Sequence, residues 1–401
     1  VKEDVVSLSL RRFLKPSALD VVFVPSPEEV PDSEFGERQE RLRAAMRLRG
    51  IDAAFLYSDH FNGAYTSYYG RFKPNDTSAA IFLPVEGEPT LAVQPEGGNV
   101  PKAKAWSPIK DIVTFQEFLV RGGQPGIRKI AIQAYQQCLV PGMNILPWTL
   151  LKGLRSTYPD AELTDGHDLV TPLMQVMSDN EIALMRKAAE IGDASITVAF
   201  ETIDVGVTEI EVSAAGQCAA VKRGGEILCA FLVASYRWPG DPNVIRASKI
   251  SSHKKIERGD TVHMDFHLGY KGYMNDVARL VHTEGAPEEA IERQQRRVEA
   301  LEAMIKSIKP GMEVRELAQV AAPILGYVPS RFGETMGLYG CMGSSFEGGM
   351  GVMGAGGLTS DLPCKLRPNI CLDLGLGGLE TIVLVTKTGA EKLNRAPFIL
   401  K

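Results

Sequence analysis

One stretch constrains this chain more than any other: Gly259-Asp260-Thr261-Val262-His263-Met264-Asp265-Phe266-His267-Leu268-Gly269-Tyr270-Lys271-Gly272-Tyr273-Met274-Asn275-Asp276. Read as a hairpin turning at Gly269-Tyr270-Lys271-Gly272, it sets Asp265 directly across from Asp276. Opposed residues on antiparallel strands share a face, with Cβ atoms roughly 5 Å apart. Two carboxylates that close repel each other unless a proton or a cation lies between them. The pattern predicts a bound metal ion.

A second hairpin, Cys371-Leu372-Asp373-Leu374-Gly375-Leu376-Gly377-Gly378-Leu379-Glu380-Thr381-Ile382-Val383, repeats the arrangement. With Leu376-Gly377 as its turn, Asp373 falls opposite Glu380. The same geometry twice in one chain argues against two ordinary solvated strand faces. On the first hairpin His263, Asp265 and His267 alternate and so share one face. His267 is the candidate imidazole ligand or catalytic group, set against a hydrogen-bonded structural role, and His263 lies further along the same face.

These residues carry a resemblance. Gly259-Asp260, then Asp265, then Asp276 eleven residues on, with Arg279 three after it, resembles the pita-bread family of creatinase, aminopeptidase P, prolidase and methionine aminopeptidase. Ser178-Asp179-Asn180-Glu181 opening a helix, Lys309-Pro310-Gly311-Met312 after a long one, and Glu380 before Ile382-Val383-Leu384-Val385-Thr386 are similar to further landmarks of that family. The resemblance implies an α+β fold: a C-terminal pita-bread domain, an antiparallel sheet covered by helices, preceded by a smaller α/β domain of creatinase type. It also implies two metal ions held by two hairpin carboxylates, one His and two Glu, and a homodimer whose partner borders the cleft. Asp265, Asp276 and Glu380 match that ligand set, and Asp373 stands where a Glu is expected.

The family histidines have no counterpart. Their positions fall near Ser248, Tyr339 and Phe346, and the last of six histidines is His282. The chain is expected to be a divergent member, with His267 as the substitute imidazole. The dimethylsulfoniopropionate lyases of this fold carry an extra ligand at a similar offset from a hairpin Asp. Four carboxylates and one imidazole make a hard, oxygen-rich shell for one or two divalent ions, which suits manganese or iron(II) and tolerates zinc. With the usual histidines missing, Glu347, His267 and Tyr339 are the candidates for moving protons, Tyr339 as a donor to a developing oxyanion.

Other segments are expected to line the cleft. Tyr236, Arg237 and Trp238 sit in a turn-prone loop, with Arg237 placed to pair with a substrate carboxylate. The Gly- and Met-rich run 337–357 is the expected substrate-lining loop. Arg279 is expected to pair with a site carboxylate. The function expected is metal-dependent hydrolysis of a C–N bond (amide, amidino or peptide-like) in a small polar substrate. The alternatives are a dimethylsulfoniopropionate-type lyase, a metal-free creatinase-like amidinohydrolase and a non-catalytic peptide-binding module.

Length divides the chain into two domains, 1–170 and 171–401. Residues 1 to about 35 read as an extended arm, followed by a helix from Glu37 to Arg49 that Gly50 ends, and a strand from Ile51 to Tyr57. Ala79–Pro84, Thr90–Val93 and Lys129–Ile132 are further strands, and Glu181–Phe200 and Glu288–Ile308 are long helices. A net charge of −5 without basic clustering gives nucleic acid no grip. No apolar run is long enough for a membrane span, nothing resembles a signal peptide, and six scattered cysteines show no framework, so a cytoplasmic location is expected.

Overall fold

The computed structural model describes residues 24–59, 63–74, 77–96, 99–134, 146–237, 251–313, 316–327, 339–342 and 365–399. Pro31 leads into α1 (Asp32–Leu48), where Asp32 and Glu34 place negative charge at the helix's positive end. The extended arm expected up to residue 35 therefore ends sooner, because Phe35 is already helical and fully buried. Then come β1 (Ala53–Asp59), α2 (Ala64–Gly70), β2 (Ser78–Pro84), β3 (Thr90–Val93), α3 (Asn99–Trp106), β4 (Asp111–Thr114) and α4 (Phe115–Val120). β5 (Lys129–Gln133), α5 (Trp148–Thr157), β6 (Glu162–Asp165) and α6 (His167–Met174) complete this part of the chain.

Its six strands form one mixed sheet in the order β4-β3-β2-β1-β5-β6. Alternate residues feed two cores: Ala54, Leu56, Ile81 and Leu91 face α1, α2 and α6, whereas Phe55, Phe82, Ile130 and Ile132 face α4 and α5. Leu169, Val170 and Met174 of α6 belong to the first core, so N-terminal packing extends past residue 170.

Ser178 caps α7 (Asp179–Thr202) through a reciprocal box with Glu181, and Thr208 and Glu211 repeat the device at α8 (Glu209–Val221). β7 (Glu226–Tyr236), β8 (Thr261–Tyr270), β9 (Tyr273–His282), α9 (Glu288–Ser307) and α10 (Glu316–Leu325) follow. β10 (Tyr339–Met342), β11 (Cys371–Gly375), β12 (Glu380–Val385) and β13 (Ala390–Lys392) complete the sheet, ordered β10-β11-β12-β9-β8-β7 with β13 on β12. All of its pairs are antiparallel.

Val262, Met264, Phe266 and Val277 pack against α7 and α8, and Leu372, Leu374, Val383 and Val385 against α9 and α10. Each hairpin thus gives alternate residues to its helices and leaves the others, the acids among them, for the opposite face. The architecture is the α+β sheet-and-helix layer that the resemblance implies, behind an α/β N-terminal domain.

The N-terminal domain also grips the tip of the β8–β9 hairpin. Glu29 Oε2 lies 2.7 Å from Lys271 Nζ, and Glu29 Oε1 accepts from the Tyr270 hydroxyl at 3.3 Å. On the other side Glu226 accepts the Gly272 amide at 3.1 Å and pairs with Lys73 at 3.3 Å.

Candidate metal centre

Both hairpins turn two-residue corners in which each central residue has positive φ: Lys271 (51°) and Gly272 (85°), then Gly377 (60°) and Gly378 (86°). Such corners match the right-handed twist of the strands, and glycine adopts them without steric cost. The turns therefore sit one residue later than the sequence reading places them, which moves each pairing by two. Asp276 faces His267 and Asp265 faces Ala278. In the second hairpin Glu380 faces Gly375 and Asp373 faces Ile382. The direct Asp265–Asp276 and Asp373–Glu380 oppositions are thus corrected to diagonal ones. Because the displacement is even, every acid keeps its face.

One contact brings the hairpins together: Glu380 of β12 pairs with Ala278 of β9, whose other neighbour is Asp265. A small residue separates the two acids. Gly375 has a matching role, since a Cβ there would lie 2.8 Å from Glu380 Cγ. The sequence reading singled out neither Ala278 nor Gly375, although a glycine two residues after Asp373 signals close approach.

The result is two overlapping trios. Asp265, His267 and Asp276 form one and Asp276, Asp373 and Glu380 the other, and within each trio one ligand atom per residue lies within 4.8 Å of the rest. Asp276 belongs to both. His267 Nε2 is 3.1 Å from Asp265 Oδ1 and 3.2 Å from Asp276 Oδ2. The four acids are all buried, and among the described residues the Oδ1 atoms of Asp276 and Asp373 accept no hydrogen bond.

Electrostatics follow from that crowding. Burial pushes Asp276, Asp373 and Glu380 well above the usual carboxylate range, and repulsion among the four acids adds to it. For Asp265 burial acts in the same direction, but the neighbouring His267 imidazole outweighs it and holds the carboxyl below its ordinary value. Buried anions without donors are costly, and a hard cation supplies what Asp276 and Asp373 lack. The oxygen-rich donor set fits one or two divalent ions.

The remaining candidates are placed differently. His263 shares the face but belongs to neither trio, and its Nε2 is 3.3 Å from where a Cβ on Gly378 would sit. Tyr236 faces Thr261, on the site side of the sheet and half-buried. Arg237 is exposed, and its guanidinium bonds to Glu257 at 2.8 Å and Asp260 at 3.4 Å. Arg279 corrects the expectation of a carboxylate partner: it is fully buried and donates to the carbonyls of Ala278, Glu380, Ala396 and Pro397. Its job is to tie β9, β12 and the C-terminal segment together. The backbone of Tyr339 pairs with Asp373. Trp238, Ser248, Phe346 and Glu347 lie outside the described residues, as does the rest of the Gly- and Met-rich run beyond β10.

Comparison with known proteins bears on the fold that carries this geometry. Residues 183–355 match Metallopeptidase family M24. The Xaa-Pro dipeptidase of Pyrococcus horikoshii is 24% identical over 90% of this chain and 97% of its own length. That of Pyrococcus furiosus is 25% identical over 90% and 98%. Among solved structures, the prolidase from Pyrococcus horikoshii superposes with a TM-score of 0.70 at 22% identity, covering 90% of this chain and 99% of that one. The X-Pro aminopeptidase from Thermotoga maritima gives 0.69 at 23%, covering 90% and 99%. With an acidic hairpin pair on this two-domain fold, residues 183–355 form a domain of metallopeptidase family M24, the pita-bread family.

Proposed function

We propose that this protein is a metal-dependent hydrolase that cleaves a peptide-like C–N bond in a small polar substrate. The observation that carries the reading is Asp276 at the junction of two ligand trios, where its carboxylate would serve both ions. Asp265 and His267 would hold one ion, Asp373 and Glu380 the other. Such ions, when bound, polarise a carbonyl oxygen and acidify water. That the relatives are dipeptidases and an aminopeptidase supports hydrolysis over elimination or simple binding.

The chain's own residues do the rest. Leu232 and Ala278 pair with Asp265 on either side, and both are buried, so they screen its carboxylate from water. His267 Nε2, between two carboxylates and only partly buried, is placed to bind an ion or to pass a proton at the cleft surface. Tyr236 belongs to the substrate side of the cleft. Tyr339 and Glu347 stay with this reading as proton donors, and Arg237 and Trp238 as substrate contacts. Manganese or iron(II) as the ion, a homodimer and a cytoplasmic location also belong to the proposal.

The experiment is elemental analysis joined to an assay. Gently purified protein is expected to carry Mn, Fe or Zn and to release amine from dipeptides, with chelation abolishing both metal and activity. Less than about 0.2 metal ions per chain after reloading would sink the reading, since a dinuclear centre binds near stoichiometrically.

A further inference from the structure

The seam between the two metal-bearing hairpins holds a single ladder pair, Glu380 with Ala278. An antiparallel ladder continued from it would set Ile382 opposite Asp276. Instead Leu393 and Asn394 take both backbone groups of Ile382. Its N–H donates to Asn394 Oδ1 at 3.0 Å, and its carbonyl accepts the Leu393 amide at 2.9 Å. At the level of Asp276, a side-chain amide thus stands where the ladder would run.

Asn394 reaches β9 and α7 as well. Its amide exchanges two hydrogen bonds with that of Asn275, at 3.0 and 3.2 Å, and its Nδ2 donates to Asp193 Oδ1 of α7 at 3.2 Å. Both asparagines are fully buried. Asn275 directly precedes Asp276, so it points to the helix side of the sheet while the carboxylate points to the metal centre. Gly192 of α7 leaves the room for it, since a Cβ there would collide with Asn275 Oδ1. Buried amides are costly unless they are bonded, and a bonded network of them fixes spacing more strictly than apolar packing does.

We propose that Asn394 is a positioning residue for the second metal trio. Held by Asn275 and Asp193, it sets the separation across the seam between Asp276 of β9 and the pair Asp373 and Glu380 of the other hairpin. The first trio, Asp265, His267 and Asp276, comes from β8 and β9 alone and does not cross the seam. Loosening the seam therefore distorts the second trio and spares the first. The inference rests on the metal-dependent reading for its two ions, and not on hydrolysis.

The test loads full-length wild type, Asn394→Ala and Asn275→Ala with manganese. Titration reads the affinity of each ion, electron paramagnetic resonance reads their spin coupling, and amine release from L-alanyl-L-proline is measured on the same samples. Wild type is expected to hold about two coupled ions. Each variant is expected to bind one ion as wild type does and the other about 10- to 100-fold more weakly, so that the spectrum at limiting manganese is that of an isolated ion. Asn275→Ala leaves Asn394 its bonds to Ile382 and Asp193, and keeps the test valid if Asn394→Ala folds poorly. General destabilisation weakens both ions alike. That result, wild-type affinities in both variants, or a wild type without a coupled pair overturns the proposal. Coupling lost in the variants with no amine release from wild type keeps the clamp and removes the hydrolase reading, whereas amine release with full coupling in the variants does the reverse.

Discussion

His267 and Asp276 face each other across the β8–β9 ladder, with Nε2 3.2 Å from Oδ2. His267 is the imidazole of the first trio, whereas Asp276 serves both. Substitution should therefore separate the two positions. Wild-type protein reloaded with manganese is expected to hold about two ions, His267→Ala about one and Asp276→Ala about none, measured by elemental analysis. Equal losses in the two variants would mean that Asp276 is not shared.

Gly375 is predicted to be necessary for placing Glu380. In Gly375→Ala the new methyl would meet Glu380 Cγ and push the carboxylate off the second trio. Metal affinity is expected to fall about 10- to 100-fold, as for other residues that orient a ligand, while the fold persists. Competition with a fluorescent chelator reads the affinity, and circular dichroism the fold.

Arg279→Met tests a strut rather than a ligand. It leaves the carbonyls of Ala278, Glu380, Ala396 and Pro397 without their shared donor inside the protein. A loss of at least about 3 kcal/mol is expected in urea unfolding of the metal-free protein. Normal stability with altered metal binding would restore Arg279 to the site.

The Glu29–Lys271 contact should couple the N-terminal domain to the metal-bearing hairpin. It is partly exposed, so Lys271→Met is expected to cost about 1 kcal/mol and to lower the melting temperature by only about 2 °C. Metal affinity should weaken by a few-fold as the hairpin tip loosens. A metal affinity that does not change would confine the contact to domain docking.

The same contact predicts a pH dependence. Burial raises the Glu29 pKa, but the bond from Lys271 and the Ser26 amide outweigh it and hold the carboxyl below its ordinary value. A depressed folded pKa contributes stability above the unfolded value and loses it as pH falls through the folded one. Wild type should therefore exceed Glu29→Gln in melting temperature by a constant margin at neutral pH. That margin should start to shrink as the pH falls below the ordinary glutamate value of about 4.3 and be gone only below the depressed folded value. A margin that persists in acid would rule out the charge as its source.

Much of the centre was legible in the residues alone. Side chains alternate along a strand and a two-residue turn keeps opposed partners on one face, so Asp265, His267 and Asp276, like Asp373 and Glu380, could be assigned to one face before the exact register was known. The capping box at Ser178 and Glu181 and the stop at Gly50 are local signals, and the helices they bound formed close to where those signals lie. Register was less legible, because a shift of the turn by one residue preserves every face while moving every partner by two.

The sequence by itself determined which acids lie on which strand face, because strand periodicity and turn chemistry act over a few neighbouring residues. Only the tertiary structure decided that the two hairpins meet at Ala278 and Glu380, that Arg279 serves carbonyls rather than carboxylates, and that Arg297 occupies the space beside Gly377. Those outcomes depend on helices and hairpins far apart in the chain closing on shared apolar cores, and the close approach that results is not encoded in any single segment.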